Sequence, residues 1–112
     1  MHFTGTWALS NSAVYVGGKA KVSSKANSTA TVSFRGNRVG WYARMGPAYG
    51  SARVYIDGKF NKTVNMNAAT ISDRKLVYTK AWAAVGSHSI RIVVLGTSGH
   101  PKVVVDQIFY LQ

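Results

Sequence analysis

Carboxylates that could support catalysis are scarce, because the 112-residue sequence has three acidic residues: Asp57, Asp73 and Asp106. Hydrolysis of a glycosidic bond usually needs two carboxylates on opposite sides of the bond. Asp57 belongs to an Asp-Gly turn, and Asp73 lies in a polar loop, 71–75, with no acidic neighbour. None of the serines lies in the Gly-x-Ser-x-Gly elbow that presents a nucleophile in many hydrolases. We therefore predict that the chain is not an enzyme.

Metal ligands are also sparse. His2, His88 and His100 are far apart in the sequence and have no neighbouring carboxylates, so we predict no transition-metal site. The absence of cysteine excludes a disulfide framework and a cysteine-ligated zinc. A structural calcium held by Asp106 and backbone carbonyls stays open, because hard cations take oxygen ligands from loops.

Positive charge is the unusual feature of the composition. Fourteen Lys and Arg residues give a net charge of +11 and an isoelectric point near 10.4. This balance favours polyanionic partners such as acidic polysaccharides, nucleic acids or an anionic cell surface. The basic residues occur singly or in small groups, so the charge is also explained by solubility alone.

Aromatic and basic residues alternate with apolar residues in several segments. A sugar presents apolar C–H faces and a rim of hydroxyls, so its binding site needs exposed rings beside polar or charged groups. The alternation places five such residues on the side opposite the core: Tyr42, Arg44, Arg53, Tyr55 and Arg91. If their strands are neighbours, they form a basic aromatic patch; the alternative is that they merely cover a sheet surface.

A second candidate site lies in the loops, where sandwich folds often carry function. Tyr49, Arg74, His100 and Lys102 would meet at one end of the molecule. Trp82 would be a stacking platform if it is exposed, and a residue closing the edge of the core if it is not.

The elements that must position these residues are strands, because the apolar residues repeat every two positions and no helical stripe is present. A Gly36-Asn37 turn would join strands 28–35 and 38–44, and an Asp57-Gly58 turn would join 52–56 and 60–66. Gly86 would separate strand 76–83 from strand 87–95, and 102–111 would be the last strand. Shorter strands are expected at 7–9, 13–16 and 20–22, the last two joined by Gly17-Gly18.

These strands predict a single all-β domain over 1–112, either a sandwich or a barrel. Its core would include Trp7 and Trp41. No run is apolar enough to span a bilayer, so we expect no membrane insertion. The N-terminal residues lack the pattern of a signal peptide, and we expect a module cut from a larger secreted protein.

Three segments resemble a known family. The run from Val39 to Gly58, VGWYARMGPAYGSARVYIDG, resembles the middle of a galactose-binding-like jelly-roll module. The runs GSHSIRIVVLG (86–96) and VDQIFY (105–110) resemble its last two strands. The resemblance implies a two-sheet antiparallel β-sandwich of the type appended to secreted bacterial enzymes, where many such modules bind carbohydrate. Members tend to have a small residue where this chain has Trp82.

Three hypotheses for the function follow. The first is a carbohydrate-binding module that targets a covalently linked catalytic domain to a polysaccharide, with an acidic polysaccharide suiting the charge. The second is a structural spacer that docks on the catalytic domain. The third is charge-driven binding to nucleic acid or an anionic surface, which would weaken steeply with salt.

Overall fold

The computed structural model describes residues 2–11 and 19–111, which form nine β-strands and no helix. All pairings between these strands are antiparallel. The prediction of an all-β domain is confirmed, whereas the predicted strand at 13–16 and its turn at Gly17-Gly18 lie outside the described residues. The strands are β1 (His2–Thr4), β2 (Ala8–Asn11), β3 (Lys19–Ser23), β4 (Thr29–Met45), β5 (Ser51–Ile56), β6 (Lys59–Asn65), β7 (Ser72–Val94), β8 (Val103–Val105) and β9 (Gln107–Leu111).

The two long strands, β4 and β7, pair with each other along most of their length and bend together. Residues 29–36 of β4 pair with 86–93 of β7, and residues 38–45 pair with 72–81. Between these two ladders β4 has one residue, Asn37, whereas β7 has four, 82–85. Extra residues on one strand of a pair bend the ladder, and sandwich strands use such irregularities to pass from one sheet to the other.

The bend creates the two layers of the sandwich. The first layer, sheet I, has the order β1, β4 (29–36), β7 (86–94), β5, β6. The second layer, sheet II, contains two ladders: β9 with β4 (38–45) and β7 (72–81), and the separate three-stranded ladder β2, β3, β8. Among the described strands no hydrogen-bonded pairing connects these two ladders, and β9 follows β8 after the single residue Asp106. The Trp41 indole N–H donates to the carbonyl of Val104 at 3.1 Å, which ties β4 to β8 within the core.

The core lies between the sheets and follows the predicted alternation. Trp41 is fully buried, and Trp7 is half-buried against the core with its ring 5.2 Å from that of Phe3. Burial of these apolar side chains is the main force that holds the two sheets together. The alternating apolar residues of the strands that the structure buries are Ala30, Phe34, Val39, Val54, Ile56, Val64, Met66, Ile90, Ile92 and Val94.

The turn predictions had mixed outcomes. Asp57 and Gly58 have φ values of 52° and 80°, the two successive positive values of a tight hairpin, so that turn is confirmed. The predicted Gly36-Asn37 turn is wrong, because β4 continues through it. Gly36 lacks a side chain for another reason: a Cβ there would collide with the carbonyl oxygen of Leu111.

Gly86 does not end a strand either. It pairs with Gly36 inside β7, which also includes most of the predicted loop 71–75 because it begins at Ser72. The predicted last strand, 102–111, is divided at Asp106 into β8 and β9. Within the described residues no helix is long and apolar enough to cross a membrane.

Candidate functional site

The outer face of sheet I brings three of the predicted ligand-binding residues together. β5 and β7 are neighbours, and Tyr55 pairs directly with Arg91. Arg53 lies two positions before Tyr55 on the same face, while Val54, between them, is buried in the core. The condition for a basic aromatic patch, that the strands be neighbours, is met for these three residues.

Ring contacts give this part of the face a defined shape. The Arg91 guanidinium lies 4.6 Å from the centre of the Tyr55 ring, and the Phe60 ring meets Tyr55 edge-on at 5.8 Å and 71°. Phe60 is 57% exposed. This exposure is unfavourable for an apolar ring, because the ring forgoes the free-energy gain of burial. A depression of about 340 Å³ is lined by Arg53, Tyr55, Phe60 and Thr63. We call Arg53, Tyr55, Phe60, Thr63 and Arg91 the Phe60 surface.

Phe60 and Thr63 are the residues of this surface that the sequence did not reveal. Strict alternation from Val64 and Met66 would turn Phe60 inward. A register shift makes Asn61 an extra residue in β6, so that Phe60 pairs with Tyr55 and shares its outer face. A bulge of this kind has no reliable signal in a single sequence.

A hydrogen bond from the interior holds the bulge. The buried Tyr78 hydroxyl donates to Asn61 Oδ1 at 2.6 Å. Burial raises the pKa of Tyr78 to about 12, because the ionised phenol would be poorly solvated. The phenol therefore stays protonated and able to donate at physiological pH.

The charge on the Phe60 surface is unbalanced. Within residues 2–11 and 19–111, neither Arg53 nor Arg91 forms an ion pair, and both are exposed. The acidic side chain nearest to them along the strands is Asp57, two positions after Tyr55, and it is bound by His88. The surface therefore presents positive charge to solvent without an internal counter-ion.

A second depression lies beside the β5–β6 turn. His88 Nδ1–H donates to Asp57 Oδ2 at 2.8 Å, and the Ser89 backbone N–H donates to Asp57 Oδ1 at 2.9 Å. The hydrogen bond from His88 holds the pKa of Asp57 below its ordinary value of 3.8. This depression, the His88 cleft, has a volume of about 500 Å³ and is lined by Ser33, Phe34, Arg35, Asp57, Ser87, His88 and Ser89.

The His88 cleft contains serine, histidine and aspartate but lacks the contacts of a nucleophilic triad. In the part of the chain that the structure describes, no serine hydroxyl hydrogen-bonds to His88. The His88 ring stacks on Trp82 at 3.7 Å and 10°, and a Cβ at Gly86 would lie 3.4 Å from His88 Nε2. The arrangement fixes the Asp57-Gly58 turn against β7, and no sequence motif could reveal a pair 31 residues apart.

Trp82 is not an open stacking platform. It is half-buried, with His88 stacked on its ring, Phe34 at 6.0 Å and Lys80 Nζ at 5.6 Å from its centre. Of the two alternatives for Trp82, the structure places it as a residue that closes the edge of the core.

Tyr42 and Arg44 lie on sheet II, apart from the Phe60 surface. They follow the bend in β4. Tyr42 lies eleven positions after Thr31, the partner of Arg91. Eleven positions of a strand span roughly 35 Å. Tyr42 packs against Phe109 at 5.7 Å, and Arg44 Nε forms an ion pair with Asp73 Oδ1 at 2.7 Å. The five residues predicted as one patch are therefore divided between two sheets.

The second candidate site, predicted in the loops, forms in part. His100 Nδ1–H donates to the Tyr49 carbonyl at 3.1 Å. The backbone of Tyr49 forms an isolated β-bridge with that of Lys102. The Tyr49 side chain, however, is only 8% exposed and belongs to the core, so its ring is not available to a ligand. Arg74 lies near the start of β7 at a positive φ of 51°, beside Lys75, which pairs with Ala43.

Asp106 lies at the junction of β8 and β9, where its backbone N–H donates to the Tyr42 carbonyl at 3.0 Å. Within residues 2–11 and 19–111, no three His, Asp or Glu side chains come together as metal ligands. The Asp106 side chain is half-buried at this junction.

Comparisons with known proteins find similarity to parts of carbohydrate-active enzymes. No family model matches the chain. It is 37% identical over 91 residues to the A type blood alpha-D-galactosamine galactosaminidase of Flavonifractor plautii. The match covers 81% of this chain and 8% of that enzyme, so the chain corresponds to a small part of this curated relative.

Solved structures share the fold at low sequence identity. A xanthan lyase from Paenibacillus matches 99% of this chain and 12% of its own, with a TM-score of 0.69 and 17% identity. The CBM36-1 domain of a multidomain xylanase from the hindgut metagenome of Trinervitermes trinervoides matches 96% of this chain and 87% of its own, with a TM-score of 0.64 and 14% identity. The predicted sandwich is confirmed: the chain is an antiparallel β-sandwich module with the fold of carbohydrate-binding modules.

Proposed function

We propose that the chain is a non-catalytic carbohydrate-binding module that holds a linked catalytic domain on a polysaccharide outside the cell. The Phe60 surface is the proposed contact. In this arrangement the module supplies affinity and the linked domain supplies the chemistry.

The observation that carries the proposal is the exposed Phe60 ring beside two arginines. The apolar C–H face of a sugar can cover the ring, which recovers the hydrophobic gain that exposure forfeits. The guanidinium of Arg91, held against Tyr55, can donate hydrogen bonds to oxygens at the rim of the same sugar. The Thr63 hydroxyl adds a group that both donates and accepts.

The relatives support this proposal. The curated relative is named for action on a galactosamine-containing blood-group sugar, and a module comprising 8% of its length fits an accessory role. The domain of the termite-gut xylanase is itself a carbohydrate-binding module, and this chain aligns with 87% of it. A role as a spacer would use the same fold without requiring an exposed aromatic ring.

Binding to a glycan array, followed by calorimetry on the glycans that bind, tests the proposal. Phe60→Ala removes the stacking ring, and we expect it to weaken binding roughly tenfold, about 1.4 kcal/mol. Leu9→Ala is the matched control, because Leu9 is similarly exposed at 53% but lies on β2 in sheet II.

Two results would contradict the proposal. Absence of binding to any glycan at millimolar concentration would favour the spacer hypothesis. Binding that is lost equally in Phe60→Ala and Leu9→Ala would move the site away from the Phe60 surface. Circular dichroism of both variants checks that each retains the native fold.

A further inference from the structure

We propose that the ligand of the Phe60 surface is an acidic polysaccharide, whose carboxylate or sulfate groups are bound by Arg53 and Arg91. This inference rests on the proposed function and narrows its ligand to one chemical class. Four features of the surface lead to it: its donors, their geometry, the missing counter-ions and the continuation of the face.

Hydrogen-bond donors dominate the polar groups of the Phe60 surface. Each arginine has five N–H donors and no acceptor, and the remaining polar groups here are the hydroxyls of Tyr55 and Thr63. Neutral sugar hydroxyls both donate and accept, so they are matched by a mixture of donors and acceptors. Carboxylates and sulfates accept only, so they match a surface on which the strong groups donate.

The two arginines are placed to act on the same stretch of a polymer. Arg53 pairs with Val93, and Arg91 lies two positions before Val93 on β7. Diagonal neighbours of this kind have Cα atoms roughly 7–8 Å apart, within the reach of two long side chains. Stacking of the Arg91 guanidinium on the Tyr55 ring reduces the freedom of this side chain before a ligand arrives.

Among residues 2–11 and 19–111, no acidic side chain neutralises these arginines. Of its three acidic residues, Asp73 is paired with Arg44 on sheet II and Asp57 is paired with His88. Asp106 lies at the β8–β9 junction of sheet II. An anionic ligand would therefore bind Arg53 and Arg91 without displacing an internal partner, and its release of counter-ions would make the affinity depend on salt.

The face continues beyond the Phe60 surface, which favours a polymer over a single sugar. Thr31 pairs with Arg91, and two positions further along the same strands Ser33 pairs with Ser89 in the His88 cleft. Two residues of a strand span roughly 7 Å, so the His88 cleft begins next to Arg91 along β7. A chain lying along the strands would place an acidic group at Arg91 and hydroxyls at the two serines.

Three variants separate this recognition from simple attraction to the net charge. Arg91→Gln removes one positive charge from the Phe60 surface. Arg38→Gln removes one from sheet II, where the exposed Arg38 pairs with Leu111, and is the matched control. Thr31→Asp leaves Arg91 in place but puts a carboxylate directly across the strand from it, as an internal competitor for the ligand.

The probes are polygalacturonate with its methyl-esterified form, and chondroitin sulfate with its desulfated form. Calorimetry at about 0.05 M and about 0.5 M salt measures affinity and its salt dependence. We expect an acidic polymer to bind roughly tenfold more tightly than its neutral or less charged form. Arg91→Gln and Thr31→Asp should each weaken binding about tenfold and lower the salt slope by about one, against less than about twofold for Arg38→Gln.

Each outcome has a defined meaning. Equal affinity for the acidic and neutral forms, still lost in Phe60→Ala, would overturn this inference and leave the proposed function standing. Equal losses in Arg91→Gln and Arg38→Gln, or equal affinity for single-stranded DNA, would overturn it in favour of general charge attraction. No binding to any glycan would overturn the inference and the proposed function together. Loss of affinity on methyl esterification of polygalacturonate identifies the anion as carboxylate, and loss on desulfation of chondroitin sulfate, which leaves its carboxylates in place, identifies it as sulfate.

Discussion

Two short segments of this chain have nearly the same composition but different surroundings. Tyr42-Ala43-Arg44 lies in sheet II and Arg53-Val54-Tyr55 lies in sheet I, and in both the central residue is buried. In sheet II, Phe109 packs on Tyr42 and Asp73 pairs with Arg44. In sheet I, Arg53 and Tyr55 lie on the outer face, and no acidic side chain in the described part of the chain pairs with Arg53.

The difference shows that residues from strands distant in the sequence determine whether aromatic and charged side chains on a sheet surface are covered or exposed. Phe109 lies over Gly40, where a Cβ would collide with its ring, so the aromatic residue fills the sheet II surface as part of the structure. Phe60 lies at the edge strand of sheet I, where its ring remains 57% exposed. The aromatic and charged groups of this sheet II surface contact other residues of the chain, whereas those of the Phe60 surface remain accessible to solvent.

The strongest test of this comparison is Gly40→Ala, which disrupts the packing on sheet II. The new Cβ would displace the Phe109 ring and with it the contact to Tyr42. Overpacking of this kind costs about 2 kcal/mol, and we expect the free energy of unfolding in urea to fall by that amount. Glycan affinity of the folded fraction should be unchanged, because the Phe60 surface lies on the other sheet.

Gly86→Ala is the control for Gly40→Ala. A Cβ at Gly86 would lie 3.4 Å from His88 Nε2, which is an ordinary contact, so its cost should be well below that of Gly40→Ala. Equal destabilisation by the two variants would mean that the glycines are needed for their backbone conformation, and that Phe109 does not close the sheet II surface as described.

Most of the fold follows from local sequence patterns. The alternation identified the buried positions of β4, β5, β6 and β7, and the Asp57-Gly58 turn was confirmed by two positive φ values. The reason for a glycine at position 36 was not predicted, because it depends on the backbone of Leu111, which is 75 positions away in the sequence. A glycine that admits a distant backbone and a glycine that makes a turn look alike in a single sequence.

The candidate site was predictable to a smaller extent. The outward direction of Arg53, Tyr55 and Arg91 was predictable because alternation within a strand is a local property. The three residues come together because β5 and β7 are paired. Phe60 was missed because a bulge reversed its side, and Tyr49 was placed in a ligand site although its ring is buried. These two errors have the same cause, since bulges and the packing of loops depend on long-range contacts.

A second test concerns the bulge that turns Phe60 outward. Tyr78→Phe removes the hydroxyl that donates to Asn61 Oδ1. We expect the free energy of unfolding to fall by about 1 kcal/mol. Glycan affinity should fall a few-fold, because Phe60 is less firmly held beside Tyr55. Urea denaturation and calorimetry on the same preparations measure the two effects.

A double-mutant cycle with Asn61→Ala isolates this hydrogen bond. If the bond holds the bulge, Tyr78→Phe should have little further effect on stability or affinity once Asn61 is replaced. Additive losses would show that Tyr78 acts through core packing alone and has no role in positioning Phe60.

The smallest expected effect comes from the Asp57–His88 pair at the β5–β6 turn. Because His88 holds the pKa of Asp57 below 3.8 in the folded chain, the pair stabilises the fold above that pH, and the gain is lost as the pH falls through the folded pKa. The Asp57 side chain is 45% exposed, so solvent screening limits the contribution to less than about 1 kcal/mol.

The difference in the free energy of unfolding between the native chain and Asp57→Asn, followed from neutral to acid pH, measures this contribution. The difference should be present above pH 3.8 and should shrink as Asp57 takes up a proton, because the protonated carboxyl is a weaker acceptor for the hydrogen bond from His88. A difference that grows on acidification would contradict the sign of the pKa shift. The comparison between the sheets would then change, because the acidic group beside the Phe60 surface would not be engaged by His88 and would compete with an anionic ligand for Arg91.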